Sequence, residues 1–293
     1  MRPGEPSRTA QWVAFARGLA QYEAPAIAQD PLAIELLGSW YAGGLRAAAL
    51  APAATRLLMR VGDTVTGGRS RFMAYRTRVL DDVVSEAAAK GIDQLVILGA
   101  GLDARAWRLG DSVAGMDVFE VDHPDTQVYK RERLGDRPPD ARSVVFVGVD
   151  FEHDALDAKL LAAGFDARRP AVVLWEGVVM YLPAEAIDAT LRTLCGLLAP
   201  GSRLAISYSR TGEGSGAWLR TALGVVVAAA GEVFRHHEEP AAMRARVEKA
   251  GFAVLWDEGH PDWAPRYCHR DQPWDVQRIV LAERTGEVGG EGA

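Results

Sequence analysis

Five short apolar runs recur along the middle of the chain, and stretches long enough to form a helix separate them. The runs, at residues 94–99, 117–122, 143–150, 171–177 and 203–209, read QLVILG, DVFEVD, SVVFVGVD, AVVLWEG and RLAISYS. Runs of this length that are rich in Val, Ile and Leu and alternate with helices are typical of a parallel sheet covered on both faces. The spacing therefore predicts an α/β fold, with a Rossmann-like, doubly wound and mostly parallel sheet.

The flanking segments have other patterns. Residues 1–70 are rich in Ala and Leu at helical spacing and predict a helical N-terminal cap. An amphipathic pattern over residues 71–90 ends at Gly91, which predicts a further helix with a glycine C-cap. Two later runs, at residues 251–259 and 278–285, have no clear crossover helix between them, so they predict an antiparallel pair at one edge of the sheet.

Residues 71–286 are accordingly predicted to form one domain, and residues 287–293 a loose tail. An insertion at about 211–239 follows the fifth run and contains the apolar stretch ALGVVVAAAG. It reads equally well as a helical excursion packed on the sheet or as a lid, because open α/β sheets bind ligands outside the carboxyl ends of their strands.

Composition narrows the class of protein. Among 293 residues, 33 are basic and 39 acidic, and no long run of like charge marks a nucleic-acid partner. No apolar stretch is long and uncharged enough to span a bilayer, and the N-terminus lacks the apolar core of a signal peptide. Two cysteines supply neither a disulfide framework nor a four-ligand zinc site. We therefore expect a soluble cytoplasmic protein without a metal and without a membrane or nucleic-acid partner.

The first apolar run leads directly into the glycine-rich turn GAGLDA, where a helix is predicted to open. Gly99 and Gly101 satisfy the G-x-G-x-x-G/A pattern of dinucleotide sites, although a tight turn without a ligand needs the same glycines. Asp103 would place a carboxylate beside the two phosphates of a dinucleotide. A ligand with adenosine and a cationic amino-acid end, but no phosphate, avoids that conflict. S-adenosylmethionine (SAM) is such a ligand.

Carboxylates end the next two runs. Asp122 follows Gly101 by about 20 residues, where it can accept hydrogen bonds from both ribose hydroxyls, and Glu120 is the alternative on the same strand face. Asp150 can accept the adenine amino proton while the backbone N–H of Phe151 meets a ring nitrogen. Each Asp could equally be a helix N-cap, but together at successive strand ends they favour a nucleoside site.

Glu176 follows the fourth run directly and cannot stay buried without a partner. The ammonium group of SAM is the favoured candidate partner. Arg105 or Arg108 would satisfy the carboxylate without any ligand.

Four segments together resemble the leucine carboxyl methyltransferase family of SAM-dependent enzymes. They are LVILGAGLDARAWRL (95–109), FEVDHPDTQVYK (119–130), VGVDFE (147–152) and LWEGVVMYL (174–182). The resemblance is strongest to the bacterial branch, which includes polyketide and other small-molecule O-methyltransferases. It implies a class I methyltransferase fold with SAM as cofactor.

By position, the resemblance also implies roles for individual residues. It implies that Gly99 and Gly101 lie beside the methionine part of SAM, and that the other contacts come from Asp122 at the ribose, Asp150 and Phe151 at adenine, and Glu176 at the amino-acid end. Arg76, in the segment YRTR, corresponds to the arginine that pairs with the SAM carboxylate, and Arg78 is the alternative register. Alternatively, both arginines lie on a solvated helix face and contact no ligand. The eukaryotic members have a Lys near the N-terminus that reaches SAM, and Arg8 or Thr9 takes that place here.

The acceptor determines whether a base is needed. An ionised carboxylate is nucleophilic at pH 7, whereas a phenol needs a base or a cation. Tyr181 and Tyr208 are candidate substrate contacts, and His236, His237 and His260 are the other polar groups expected near the mouth. No spacing among them makes a triad or a metal site, so we assign no catalytic residue.

The leading hypothesis is a SAM-dependent O-methyltransferase acting on a carboxylate or hydroxyl of a small molecule such as a polyketide-like metabolite. The alternatives are a protein C-terminal carboxyl methyltransferase, an NAD-dependent oxidoreductase and a non-catalytic SAM-binding module.

Overall fold

A seven-stranded sheet forms the centre of the protein in a computed structural model that describes residues 8–22, 26–66, 71–150, 153–210, 235–268, 275 and 277–286. The strands are β1 Gln94–Leu98, β2 Asp117–Asp122, β3 Ser143–Gly148, β4 Val172–Trp175, β5 Arg203–Ser209, β6 Phe252–Gly259 and β7 Gln277–Arg284. Each coincides with a predicted run to within two residues at either end, so the sequence pattern located the strands correctly. The expected tail, Phe151 and most of the expected insertion lie outside the described residues.

The strand order β3-β2-β1-β4-β5-β7-β6 makes β1 and β4 the central neighbours. Strands β1 to β5 are all parallel, and the order reverses direction between β1 and β4. Open α/β sheets bind ligands at such a switch point, outside the carboxyl ends of the strands. Strand β7 pairs antiparallel with both β5 and β6, which confirms the predicted antiparallel edge.

Helices cover both faces of the sheet and one of its ends. They are α1 Arg8–Ala20, α2 Ala33–Leu36, α3 Ser39–Leu50, α4 Pro52–Thr66, α5 Phe72–Ala89, α6 Pro124–Leu134, α7 Leu156–Ala162, α8 Ala184–Leu197, α9 Pro240–Lys249 and α10 His260–Cys268. Residues of α5 and α10 share a core with one face of the sheet, and residues of α7, α8 and α9 share a core with the other. Helices α1, α2 and α3 form a third cluster that packs on the loop after β1. None of the helices in the described ranges is long and apolar enough to cross a membrane.

Helix α5 follows from the periodicity predicted for residues 71–90. Val79, Val83, Val84 and Ala87 are buried on its inner face, as a helical repeat requires. The chain leaves the helix at Gly91, whose φ of +81° suits a residue without a Cβ. This prediction is confirmed.

The prediction of a helix directly after the glycine turn is wrong. The chain forms two short 3₁₀ turns instead, Arg105–Trp107 and Gly110–Ser112. The carboxylate of Asp103 accepts the backbone N–H of Arg105 at 2.7 Å, and such a local side-chain bond competes with helix formation. Helix α10 was missed in turn, because Pro261 and Pro265 obscure its helical pattern.

Candidate functional site

The glycine turn after β1 brings backbone and carboxylate together. Gly99 and Gly101 have φ angles of +67° and +49°, a region that favours glycine. The backbone N–H of Gly101 donates to Oδ2 of Asp122 at 2.6 Å, and that of His123 donates to Oδ1 at 2.7 Å. A Cβ on Gly101 would lie 4.0 Å from the same carboxylate. The two backbone donors therefore hold the Asp122 carboxylate in one orientation.

The carboxyl group of Asp122 still has acceptor capacity, because each oxygen offers two lone pairs and receives one backbone N–H. Burial raises the pKa of this group, and the two backbone donors oppose that shift. Asp122 is thus a partly exposed, preoriented acceptor at the carboxyl end of β2.

Glu176 lies at the carboxyl end of β4 between two arginines. Its Oε1 accepts from Nε of Arg76 at 2.8 Å, and its Oε2 accepts from Nη1 of Arg105 at 2.8 Å. Burial alone would raise the pKa of Glu176, but Arg105 and Arg76 hold it well below its usual range. The favoured reading, in which the ammonium of SAM alone satisfies Glu176, is therefore incomplete: Arg105, the alternative, is a partner, and so is Arg76.

Arg105 is the centre of a buried ion network. Its guanidinium has no exposed area and contacts the carboxylates of Asp81, Asp103 and Glu176. Arg108 contacts Asp81 from the other side at 2.7 Å. Burial would raise the pKa of Asp103, but Arg105 lowers it, so Asp103 is ionised and neutralised at once. The expected repulsion between Asp103 and a phosphate therefore has no basis in the structure.

Sequence reasoning missed Arg17 and Asp81. Arg17 donates from Nε to Asp30 at 2.9 Å and from Nη2 to the carbonyl of Leu102 at 2.6 Å, so α1 is attached to the loop after β1. The carboxylate of Asp81 accepts hydrogen bonds from the guanidinium groups of Arg105 and Arg108. For Arg17 the available signal was one charged residue on the apolar face of a predicted helix, and for Asp81 it was a second charged residue, besides Arg76, on the buried face of α5. Such groups have to find a partner when the helix packs.

The structure distinguishes Arg76 from Arg78. Arg76 is buried on α5, and its Nη1 donates to the side chain of Gln277 at 3.2 Å in addition to its bond with Glu176. Arg78 is 47% exposed and pairs with Asp82 one turn along the same helix. Arg76 therefore belongs to the cluster around Glu176, and Arg78 does not.

The other predicted contacts lie at different places. Asp150 follows β3 beside Asp122, whose carbonyl accepts the backbone N–H of Val149 at 3.0 Å. The carboxylate of Asp150 is 44% exposed and contacts Nδ1 of His153 at 3.0 Å. Phe151 lies outside the described residues, and so do the side chains of Arg8 and Thr9.

The two tyrosines predicted as substrate contacts differ. Tyr181 is half-buried in a 3₁₀ turn just after Glu176. Tyr208 is fully buried in the core on the side of α8 and α9, and its hydroxyl donates to Asp257 at 2.9 Å. Burial and the Asp257 carboxylate raise the pKa of that hydroxyl. Tyr208 therefore has a structural partner on the face of the sheet opposite Glu176.

Glu120, the alternative ribose acceptor, forms a buried pair with Lys130. The ammonium of Lys130 also lies 5.2 Å from the centre of the Trp107 ring. Burial raises the pKa of Glu120 to about 7, against the effect of Lys130. Asp122, and not Glu120, is thus the carboxylate that reaches the glycine turn.

The histidines have different surroundings. The backbone N–H groups of Arg235 and His236 donate to the carbonyl of Met180, and Nε2 of His236 lies 3.0 Å from Glu238. Glu238 in turn accepts from Arg246 at 2.9 Å, so His236 belongs to a polar network at the carboxyl ends of β4 and β5. His260 is only 3% exposed and packs edge-on against Tyr75 and Trp263 rather than lying at a mouth.

The burial of His260 leads us to expect that the folded protein loses stability in acid. Burial lowers its pKa from 6.5 to about 4, so between these values the unfolded chain binds a proton that the folded protein excludes. The free energy of unfolding should fall as the pH drops through this window, by about 3 kcal/mol from this group. We expect His260→Phe, which keeps an aromatic ring, to show a smaller difference between pH 7 and pH 4 in urea unfolding. His153→Phe, at an exposed histidine, serves as the control, and equal pH dependence of the two variants would contradict the assignment.

Comparison with known proteins agrees with the geometry. A family model described as leucine carboxyl methyltransferase matches residues 10–195, a range that includes Arg76, Gly99, Asp122 and Glu176. A relative from Mycobacteroides abscessus, provisionally named an S-adenosyl-L-methionine-dependent methyltransferase, is 40% identical over 211 residues, covering 68% of this chain and 63% of the relative. One from Mycolicibacterium gilvum with the same name is 48% identical over 139 residues, covering 46% of this chain and 44% of the relative. The chain thus spans less than two thirds of the length of either relative.

Solved structures share the fold at low sequence identity. A duf574 family protein from Streptomyces avermitilis has a TM-score of 0.61 at 17% identity, covering 95% of this chain and 98% of that one. A protein from Thermobifida fusca, provisionally described as a methyltransferase, has a TM-score of 0.58 at 18% identity, covering 97% of this chain and 96% of that one. These likenesses confirm the predicted fold class. Since the family model spans more than half of the chain and takes in the glycine turn with both of its acidic partners, the chain belongs to the leucine carboxyl methyltransferase family.

Proposed function

We propose that the protein is a SAM-dependent O-methyltransferase acting on a carboxylate or hydroxyl of a small molecule, such as a polyketide-like metabolite. One observation carries the proposal: a preoriented carboxylate, Asp122, and an alternating cluster of Arg76, Glu176 and Arg105 lie at the ends of β2 and β4, on either side of one glycine turn. SAM has the matching groups, a ribose diol at one end and a zwitterionic amino acid at the other.

The residues fit SAM on three counts. The Asp122 carboxylate, held by two backbone N–H groups, keeps lone pairs that can accept from ribose hydroxyls. Glu176 offers negative charge to an ammonium group, and Arg76 offers positive charge to a carboxylate. Nη2 of Arg105 is buried without a hydrogen-bond partner among the described residues, and a ligand carboxylate is one group that would satisfy it.

SAM supplies an electrophilic methyl group when it is bound. The protein's own contribution is to bind and orient: Asp122 for the ribose, Asp150 with Phe151 for adenine, and Arg76 with Glu176 for the amino-acid end. Such positioning contributes much of the rate of a two-substrate reaction. An ionised carboxylate or an acidic hydroxyl needs no general base. Tyr181, half-buried in the 3₁₀ turn that follows Glu176 along the chain, is the proposed contact for that acceptor.

The structure supplies a new argument against the NAD-dependent oxidoreductase. Dinucleotide sites place the pyrophosphate at the N-terminus of an α-helix that opens at the glycine turn. In this protein the turn leads into a 3₁₀ turn of three residues, Arg105–Trp107, and the guanidinium of Arg105 points into the ion network instead. The backbone donors that would bind a pyrophosphate are therefore not arranged as a helix end.

Calorimetry with SAM and with NAD tests the cofactor, and methyl transfer to a panel of organic acids, phenols and peptides with a free C-terminus tests the reaction. We expect micromolar binding of SAM, far weaker binding of NAD, and turnover with a small acid or acidic phenol. Stabilisation by NAD and not by SAM would refute the proposal. Turnover only with peptides would favour a protein carboxyl methyltransferase, and SAM binding without turnover on any acceptor would favour a binding module.

Asp122→Ala should weaken SAM binding by about 1–3 kcal/mol, because two ribose hydroxyls lose their acceptor. Asp125→Ala is the matched control, since Asp125 lies in the next turn of chain with a 44% exposed side chain. Calorimetry on both variants measures the effect. Equal SAM affinity in the two would reject Asp122 as the ribose ligand.

A further inference from the structure

Helix α3 turns an apolar face to solvent. Its inner face, with Ala42, Leu45 and Ala48, is buried against the rest of the cap. The outer face carries Trp40, Gly43, Ala47 and Leu50, at spacings of three, four and three residues, and all of them are exposed. Trp40 and Leu50 are each 88% exposed. Surface helices ordinarily point their apolar stripe at the core, whereas α3 has a second apolar stripe that faces solvent.

Helix α4 repeats the arrangement. The hydroxyl of Thr55 donates to the carbonyl of Ala48 at 3.2 Å, which holds that side of α4 against α3. The opposite side carries Leu57, Leu58 and Val61, which are 62%, 71% and 52% exposed. Residues 57, 58 and 61 fall within one third of the helix circumference, so they form a single outward face.

The charge of this hairpin differs from that of the whole protein. Helices α3 and α4, residues 39–66, contain three arginines, Arg46, Arg56 and Arg60, against one acidic residue, Asp63, in a chain whose net charge is −6. Arg46 is exposed and Arg56 is half-buried. Exposed Trp and Leu together with arginine are the composition of helices that lie in the interface of an anionic membrane.

A second copy of the chain is the competing occupant. A two-fold interface would bring the same face of each subunit together, so the three arginines of one hairpin would meet those of the other with only Asp63 from each hairpin to offset them. An anionic lipid surface meets the same arginines with opposite charge. Charge complementarity therefore favours the lipid.

We propose that α3 and α4 form a peripheral docking surface for a bilayer that contains anionic phospholipid. The apolar side chains insert at the level of the headgroups and the arginines lie among the lipid phosphates. No membrane partner was expected from the sequence, because no segment of it is long and uncharged enough to span a bilayer. Docking depends instead on the direction in which two amphipathic helices point.

Co-sedimentation of the purified protein with vesicles of phosphatidylglycerol and phosphatidylcholine, compared with phosphatidylcholine alone, tests the proposal. We expect binding to the anionic vesicles that falls as salt is raised. Leu57→Ser combined with Leu58→Ser should weaken it by about tenfold or more, and Arg46→Gln combined with Arg56→Gln should weaken it and reduce the salt dependence. Thermal melts check that each variant is folded. Substitutions at exposed positions usually change stability little.

Val128→Ser combined with Leu161→Ser is the matched control, because these side chains are 52% and 50% exposed elsewhere on the surface. That variant should bind vesicles like the wild type. Equal loss in both double variants, or no binding of the wild type to anionic vesicles, would overturn the proposal. A dimer in light scattering that only the Leu57 and Leu58 substitutions dissociate would assign the face to a second copy instead.

Discussion

Arg105→Met should lower the free energy of unfolding by about 3–5 kcal/mol, the largest stability effect we expect from one substitution in this protein. The side chain that is removed is fully buried and contacts Asp81, Asp103 and Glu176. Asp81 keeps Arg108 and Glu176 keeps Arg76, but Asp103 loses its only ion-pair partner among the described residues. A buried carboxylate without a counter-charge is energetically costly, so most of the loss in the free energy of unfolding should come from Asp103.

Urea unfolding at pH 7, followed by far-ultraviolet circular dichroism, measures the loss. Arg168→Met provides the comparison, because Arg168 is 89% exposed and pairs with Asp166 at the surface. That variant should unfold at nearly the urea concentration of the wild type. If the two variants unfold alike, the network around Arg105 contributes nothing to stability beyond an exposed pair.

Arg76→Met should weaken SAM binding by about thirtyfold or more, the largest effect on the ligand that we expect. Arg76 is buried, is the proposed partner of the SAM carboxylate, and donates to Oε1 of Glu176. Its removal therefore takes away one ligand contact. It also leaves Glu176, the proposed partner of the SAM ammonium group, less firmly oriented. Arg105 still neutralises Glu176, which lets the variant fold.

Arg78→Met is the control for this effect, two residues along the same helix but exposed and paired with Asp82. It should bind SAM like the wild type in calorimetry, and Arg76→Lys should fall between, since Lys keeps the charge but not the planar fork of donors. A loss of the same size in Arg76→Met and Arg78→Met would remove Arg76 from the ligand site. Melting curves without ligand separate an effect on binding from an effect on the fold.

The sequence by itself determined the sheet and the residues at its carboxyl edge. Strand runs and the periodicity of α5 depend on neighbouring residues, so they can be read locally. Asp122 and Glu176 could be placed together because the carboxyl ends of parallel strands meet at one edge, whatever the loops between them do. The four segments that resemble the family contain the same residues, and the family match confirms the resemblance.

Only the tertiary structure decided which charges meet. Glu176 finds Arg76 and Arg105 at separations of 100 and 71 residues, and Arg17 reaches the loop after β1 from 85 residues away. Pattern and spacing along a sequence do not encode such pairings, because they arise when helices dock on the sheet. The missing helix after the glycine turn has a similar cause. The hydrogen bond that the backbone N–H of Arg105 donates to Asp103, together with the burial of that arginine, outweighs local helix propensity.

The direction of α3 and α4 is the last feature that the sequence left open. Their apolar spacing predicts helices in the cap, and the helices are there. An amphipathic pattern says that one side of a helix differs from the other, but which side meets the protein depends on the contacts that hold it. Here Leu45 and Thr55 make those contacts, and Trp40, Leu57 and Leu58 face outward as a result.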